Sequence, residues 1–233
     1  MGTMISVKSQ AIVLHLTRVG DSAIVVHTVD SVAGRRSLML RGVGRSRGRG
    51  AKNGTALLHS LSVLDVVVTT PPFGTMPYLS EYEPLFNLNS LRTDIYKSTM
   101  AMFIAEILYR SVREGDGGGE YFSSLVENIV RLDAVQGSAA NFHLWWMADY
   151  CRLMGFAITE DGLSEMGGAV MSGTADGEAM LQFARATLEE ALAIPLSASR
   201  RSAISSGMIS YLSHHLGVAL DIRALSVLHE VFK

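Results

Sequence analysis

Hydrophobic and polar positions change rhythm at Pro84. Before it, apolar residues come in short runs rich in Val and Ile. Ile5–Ser9 and Gln10–Leu16 read as strands, with His15 and Arg18 interrupting the apolar pattern. Ser22–Val29 sets Ala23, Val25 and His27 against Ile24, Val26 and Thr28, the alternation of a pleated strand. Arg36–Gly42 reads as a third, with Leu38 and Leu40 on one face and Met39 and Arg41 on the other. Leu57–Thr70, containing Val66-Val67-Val68, is a fourth and possesses room for a bend; Pro71-Pro72 and Gly74 end it, and Met76–Tyr82 is a fifth. Asp30–Gly34 reads as a turn. Gly42–Gly54 holds five glycines and no apolar period, so it reads as a loop. Five short strands with turn signals between them predict a small barrel or sandwich.

Beyond Pro84 the period becomes helical. In Asp94–Arg113, Tyr96, Met100, Phe103 and Ile107 recur at helical spacing, with Thr93 or Asp94 available as a cap. Tyr121–Val135, Asn141–Met154, Glu178–Ile194, Ser202–Leu216 and Ile222–Phe232 read as further helices, and residues 158–177 as an irregular connection. The expected organisation is α+β: a β domain over 1–82 and an all-α domain over 83–233.

Composition supports a folded chain. Apolar residues make up 48% and charged residues 18%, the latter below the usual ~25%. No apolar run approaches the ~18 residues of a membrane span, and Met1–Gln10 lacks the apolar region of a secretory signal. Cys151 is the single cysteine, which excludes an internal disulfide and a multi-cysteine zinc site. A soluble protein of a reducing cytoplasm, without membrane contact, is expected.

Charge is more informative. Residues 1–82 carry nine Lys and Arg against four acids, whereas 83–233 carry eleven against eighteen. Seven of the nine front cations lie between Arg35 and Lys52, with no acid among them: Arg35, Arg36, Arg41, Arg45, Arg47, Arg49 and Lys52. Guanidinium forks suit phosphate, and each cation that neutralises one releases a counterion. This cluster is the candidate nucleic-acid site. The bland alternative is a solvated loop, or one paired with the acidic rear. Aromatic partners are few; Phe73, Tyr78 and Tyr82 lie nearest.

No catalytic constellation is assembled in the sequence. It contains no phosphate-cradling G-x-x-x-x-G-K-[ST], no G-x-S-x-G elbow and no H-E-x-x-H. The seven histidines are scattered, and Cys151 lies in an apolar helix as a structural thiol would. Trp145-Trp146 reads first as core. A sharper reading makes Trp145, with Arg131 or Arg152 at its edge, an apolar groove for a peptide ending in a carboxylate. No cofactor and no metal are expected. DNA and RNA are not distinguished by these residues, so an RNA-binding module of translation or RNA processing remains an alternative, as does a protein-binding scaffold.

Gly34-Arg35-Arg36-Ser37 followed by Arg41-Gly42-x-x-Arg45-Ser46-Arg47 resembles the signature of the bacterial recombination mediator RecO family. Leu153-Met154-Gly155-Phe156 and the tail Ile222–Phe232 are similar to that family's L-x-G-F pattern and closing helix. The resemblance implies an N-terminal five-stranded OB-fold barrel and a C-terminal helical domain. It implies a non-enzymatic protein of DNA repair that binds single- and double-stranded DNA and anneals complementary strands. Its implied partners are RecR and the C-terminal tail of single-stranded-DNA-binding protein, and indirectly the RecA it helps to load. Many members carry four cysteines after the G-F pattern as a zinc module; Ala157–Gly177 has none.

Overall fold

A computed structural model describes residues 3–42, 55–73, 76–116, 118–166 and 173–233. Five strands close into a barrel in the order β1-β2-β3-β5-β4. They are β1 (Ile5–Val19), β2 (Ala23–Asp30), β3 (Gly34–Arg41), β4 (Val63–Thr70) and β5 (Tyr78–Pro84). All neighbours are antiparallel except β3 and β5, which run parallel with Met39 opposite Tyr78. This is the OB-fold arrangement. The helices that follow complete the expected α+β chain.

The two expected strands at 5–9 and 10–16 are one. Strand β1 pairs through Ile5–Ile12 with β4 and through Ala11–Val19 with β2, and its register shifts between Val13 and His15. Strand β1 thus pairs on both sides, and the parallel β3–β5 contact closes the barrel. The interior holds Ala11, Val13, Ile24, Val26, Leu38, Leu64, Val66, Val68 and Leu79. The residues between them in β1 and β2, Ile12, Val25 and Val29, face outward yet are buried too. Two-sided burial explains why these strands read as nearly continuous apolar runs.

The outer face is covered by α2 (Ile95–Ser111), which packs on β1 and β2. Asp94 caps this helix, accepting from the backbone N–H groups of Tyr96 at 2.8 Å and Lys97 at 3.3 Å. A five-residue helix, α1 (Asn89–Thr93), precedes it, and α3 (Gly119–Ala134) follows. The chain accordingly divides into compact units Met1–Asp133 and Ala134–Lys233. Tyr82 marks the end of the strand-rich sequence, and the compact unit extends beyond it because α2 shares the barrel's apolar surface.

The expected strand Leu57–Thr70 is shorter, beginning at Val63. A 3₁₀ turn at Thr55–Leu57 and a tight turn over 59–62 occupy its first half. Leu61 sits there at φ 63°, a left-handed conformation that costs a non-glycine residue roughly 1–3 kcal/mol. It is held by burial and by backbone bonds to β1: Leu61 N–H to the Val13 carbonyl, and Val13 N–H to the Ser62 carbonyl, both 2.8 Å.

The second unit is helical: α4 (Phe142–Leu153), α5 (Glu160–Glu165), α6 (Ala175–Arg185), α7 (Leu188–Ala193), α8 (Ala198–Leu216) and α9 (Ala224–Val231). Helix α4 is buried over most of its length and packs on α6, α7 and α8; Trp146 stacks on Tyr150 with centroids 4.9 Å apart. Two expectations change here. The connection 158–177 contains α5, started by Thr159. The expected helix Glu178–Ile194 is two, because Thr187 and Glu190 form a reciprocal capping box that starts α7. Arg201 fastens the unit, donating to Asn141 Oδ1 at 3.1 Å and the Leu196 carbonyl at 3.2 Å.

Candidate nucleic-acid interface

Three of the seven expected phosphate-binding cations, Arg35, Arg36 and Arg41, lie on β3. Arg45, Arg47, Arg49 and Lys52 lie outside the described residues. The β2–β3 hairpin that positions the first three is built on Asp30. Its buried carboxylate accepts the N–H groups of Val32 at 2.9 Å and Ala33 at 3.1 Å, and Gly34 completes the turn at φ 65°. The other carboxylate oxygen accepts Ser9 Oγ at 2.7 Å and lies 3.5 Å from Arg36 Nη1.

The three arginines are in different situations. Arg35 donates to the Tyr109 carbonyl at 3.1 Å, with its guanidinium 5.2 Å from the centroid of the Tyr109 ring; it fastens β3 to α2. Arg36 is half-buried and tethered to Asp30. Arg41 is exposed at the end of β3, its guanidinium 4.6 Å from the Tyr78 ring centroid. This cation–π contact holds the fork in place while leaving it in solvent. Gly42, at φ 80°, ends the strand where the chain enters the cation-rich segment. The carboxylate partner of Arg36 therefore comes from the neighbouring strand, and Arg35 is held by a carbonyl and a ring.

Charge is partitioned around the barrel. Exposed Asp65, Glu81 and Glu83 lie on β4 and β5, where Asp65 pairs in register with Glu83. That face carries negative potential, whereas the end of β3 presents the exposed guanidinium of Arg41. Phe73, 77% exposed, lies in the β4–β5 connection, so an aromatic ring follows the strand that ends beside Tyr78's partner Thr69. Tyr82 packs against the barrel interior.

Behind the cationic strand lies a ring cluster. His15 and His27 stack with centroids 4.1 Å apart, and both meet the Tyr109 ring edge-on. His27 Nε2 lies 3.0 Å from Thr17 Oγ1, and Nδ1 lies 3.0 Å from Ser37 Oγ. Burial, with His15 and Arg35 nearby, pushes the His27 imidazole down to about 4. Burial also lowers His15, against the opposing pull of Glu106. Both rings are therefore neutral near pH 7, and their role is packing.

The residues expected to dock protein are distributed over both units. Arg131 is paired with Glu127 at 2.6 Å, one turn away on α3. Trp145 is only 7% exposed and packs on Phe142, so its ring belongs to the core. Arg152 is exposed and bound to Asp149 at 2.6 Å. Among the described residues no group of three or more His, Cys, Asp or Glu side chains is placed to hold a metal ion. A four-cysteine zinc module does not fit this chain: Cys151 is its single thiol, buried in α4.

The Arg41–Tyr78 pair was not legible in sequence, because a parallel contact between β3 and β5 creates it. A closed five-stranded barrel followed by helices defines the class, an OB-fold protein with a helical unit after the barrel. The family profile described as Recombination protein O C terminal matches residues 92–173. The chain is 34% identical over 155 residues to the DNA repair protein RecO of Phocaeicola vulgatus, covering 66% of this chain and 63% of that protein. It is 31% identical over 150 residues to that of Christiangramia forsetii, covering 64% and 62%. The RecO of Flavobacterium psychrophilum aligns over 97% of this chain and 99% of its own length at 24% identity. The matches to the first two relatives thus span less than two thirds of their length. These matches together support a place in the RecO family. No helix among the described residues is long and apolar enough to cross a membrane.

Proposed function

We propose that this protein is a non-enzymatic recombination mediator of DNA repair, acting at the nucleoid. Its barrel binds single- and double-stranded DNA through Arg36 and Arg41 and the cations Arg45, Arg47, Arg49 and Lys52 that follow. Neutralising phosphates on two strands lowers their mutual repulsion, which favours annealing. The carrying observation is Arg41: exposed, stacked on Tyr78, and placed where β3 leads into the cationic segment. Family likeness extends the reading to RecR and the tail of single-stranded-DNA-binding protein as partners, with exposed Arg152 as a candidate contact, and through them to RecA loading.

The test is the salt dependence of single-stranded DNA binding. The slope of log K against log salt concentration should be negative, with ~0.7 per neutralised phosphate. Arg41→Ala, and the triple replacement of Arg45, Arg47 and Arg49 by Ala, should each flatten it. Unchanged slopes in both would overturn the assignment.

A further inference from the structure

The seam between β3 and β5 is narrow. The two strands share one pair, Met39 opposite Tyr78, with the Met39 N–H donating to the Pro77 carbonyl at 2.8 Å. The first half of β3 is covered instead by the stretch that leaves α2. Glu114 bridges antiparallel to Gly34, the Arg35 N–H donates to the Arg113 carbonyl at 3.1 Å, and the Gly115 N–H donates to the Ala33 carbonyl at 2.9 Å. Gly115 turns the chain away at φ 89°. The edge of β3 that faces away from β2 is thus held by the exit of α2 at one end and by β5 at the other.

Strand alternation puts Arg35, Ser37, Met39 and Arg41 on one face of β3. The start of that face is engaged by α2. Arg35 donates to the Tyr109 carbonyl at 3.1 Å and its guanidinium lies over the Tyr109 ring. Asp30, the one acid of β2, pairs with Arg36 and not with Arg35. Ser37 Oγ lies 3.0 Å from His27 Nδ1, and the His27 ring meets the edge of Tyr109. Tyr109 is therefore the point of α2 on which two successive residues of this face converge. Arg41, at the far end of the same face, is exposed.

Arg41 belongs to β3 and Tyr78 to β5, so their contact exists only while the seam between these strands is closed. One ladder pair contributes little by itself; the seam needs β3 held from elsewhere. We infer that Arg35 and Tyr109 are positioning residues for Arg41: their contact fixes β3 on α2 and so keeps the Arg41 guanidinium over Tyr78, while Arg35 itself touches no phosphate. The inference rests on the DNA-binding reading above and gives one of its seven cations a different task. The wall helix thereby sets the presentation of a guanidinium it does not contact.

The experiment uses the full chain and two readouts. The first needs no DNA: NMR of the Arg41 side-chain protons, which the Tyr78 ring current shields and which Tyr78→Leu identifies. Arg35→Gln and Tyr109→Leu should move these resonances towards their positions in Tyr78→Leu. Tyr109→Phe keeps both the ring and the main-chain carbonyl and should match wild type. The second readout is affinity for oligodeoxythymidylate as salt is varied. Arg35→Gln and Tyr109→Leu should each weaken binding roughly three- to tenfold, the range of couplings between neighbouring residues. The log–log slope should change by less than half of the ~0.7 that one lost phosphate contact removes. Unchanged Arg41 shielding in both variants, or unchanged affinity, overturns the positioning role. A slope reduced by Arg35→Gln as much as by Arg41→Ala overturns it too, because Arg35 then meets a phosphate. If Tyr109→Leu fails to fold, Arg35→Gln decides. If the wild type binds no DNA at low salt, the DNA-binding reading falls, and the NMR arm still decides whether Arg35 and Tyr109 hold Arg41.

Discussion

Acidification should loosen the barrel unit through His27. Its imidazole is stacked on His15, edged by Tyr109, placed between Thr17 and Ser37, and close to Arg35, with Glu106 the acid nearest His15. In the unfolded chain the ring titrates near 6.5; in the folded protein it is held down to about 4. The unfolded state therefore binds more protons between those values, so stability is fully present above pH 6.5 and is lost as pH falls towards 4. At ~1.4 kcal/mol per pH unit the interval sets a ceiling of roughly 3 kcal/mol. The ring is half-buried, and solvent screening reduces this to about 1–2 kcal/mol. His143 in the other unit, fully buried and pushed down to about 3, also opposes acid, so wild type must be compared with His27→Gln. Both tryptophans lie in the second unit, so their fluorescence does not report on the barrel. The assay is urea unfolding followed by NMR of barrel resonances from pH 7 to 4, with the His27 ring titrated directly. The variant should lose about 1–2 kcal/mol less than wild type across that window. A His27 midpoint near 6.5, or parallel stability curves for the two proteins, would refute the reasoning.

Two further outcomes follow from packing. Burial pushes the Cys151 thiol up to about 12, so the native protein should not react with a disulfide reagent at pH 8, while denaturant should release one reactive thiol; fast labelling of the native state would contradict this burial. A methyl group at Gly162 would collide with the Tyr211 hydroxyl, which donates to the Ala157 carbonyl at 2.9 Å. Gly162→Ala should cost about 1–3 kcal/mol by overpacking, and Tyr211→Phe should recover part of it in the double variant. Additive losses in thermal unfolding would show that the two do not meet.

Much of the fold could be read from local pattern. Alternation in Ser22–Val29 and Arg36–Gly42 located β2 and β3 to within about two residues, and helical spacing in Asp94–Arg113 located α2. What escaped depended on partners distant in the chain. The splitting of Leu57–Thr70 turns on Leu61, whose left-handed backbone is stabilised by burial and by β1. The capping box at Thr187–Glu190 was present in the sequence but was masked by a nearly continuous helical pattern. At the candidate interface, sequence indicated the cations but not their situations. Arg35 and Arg41 are six residues apart on one strand, yet the first is spent on α2 and the second faces solvent.

The outward-facing apolar side of β1 and β2 has a consequence for dissecting the protein. A fragment ending at residue 82 would expose Ile12, Val25 and Val29 to water and remove the Tyr109 anchor of Arg35. The compact unit runs to Asp133, and α2 within it forms part of the barrel's outer wall. Cutting at the change from strands to helices strips α2 from the apolar outer side of β1 and β2 and produces a sticky half-shell.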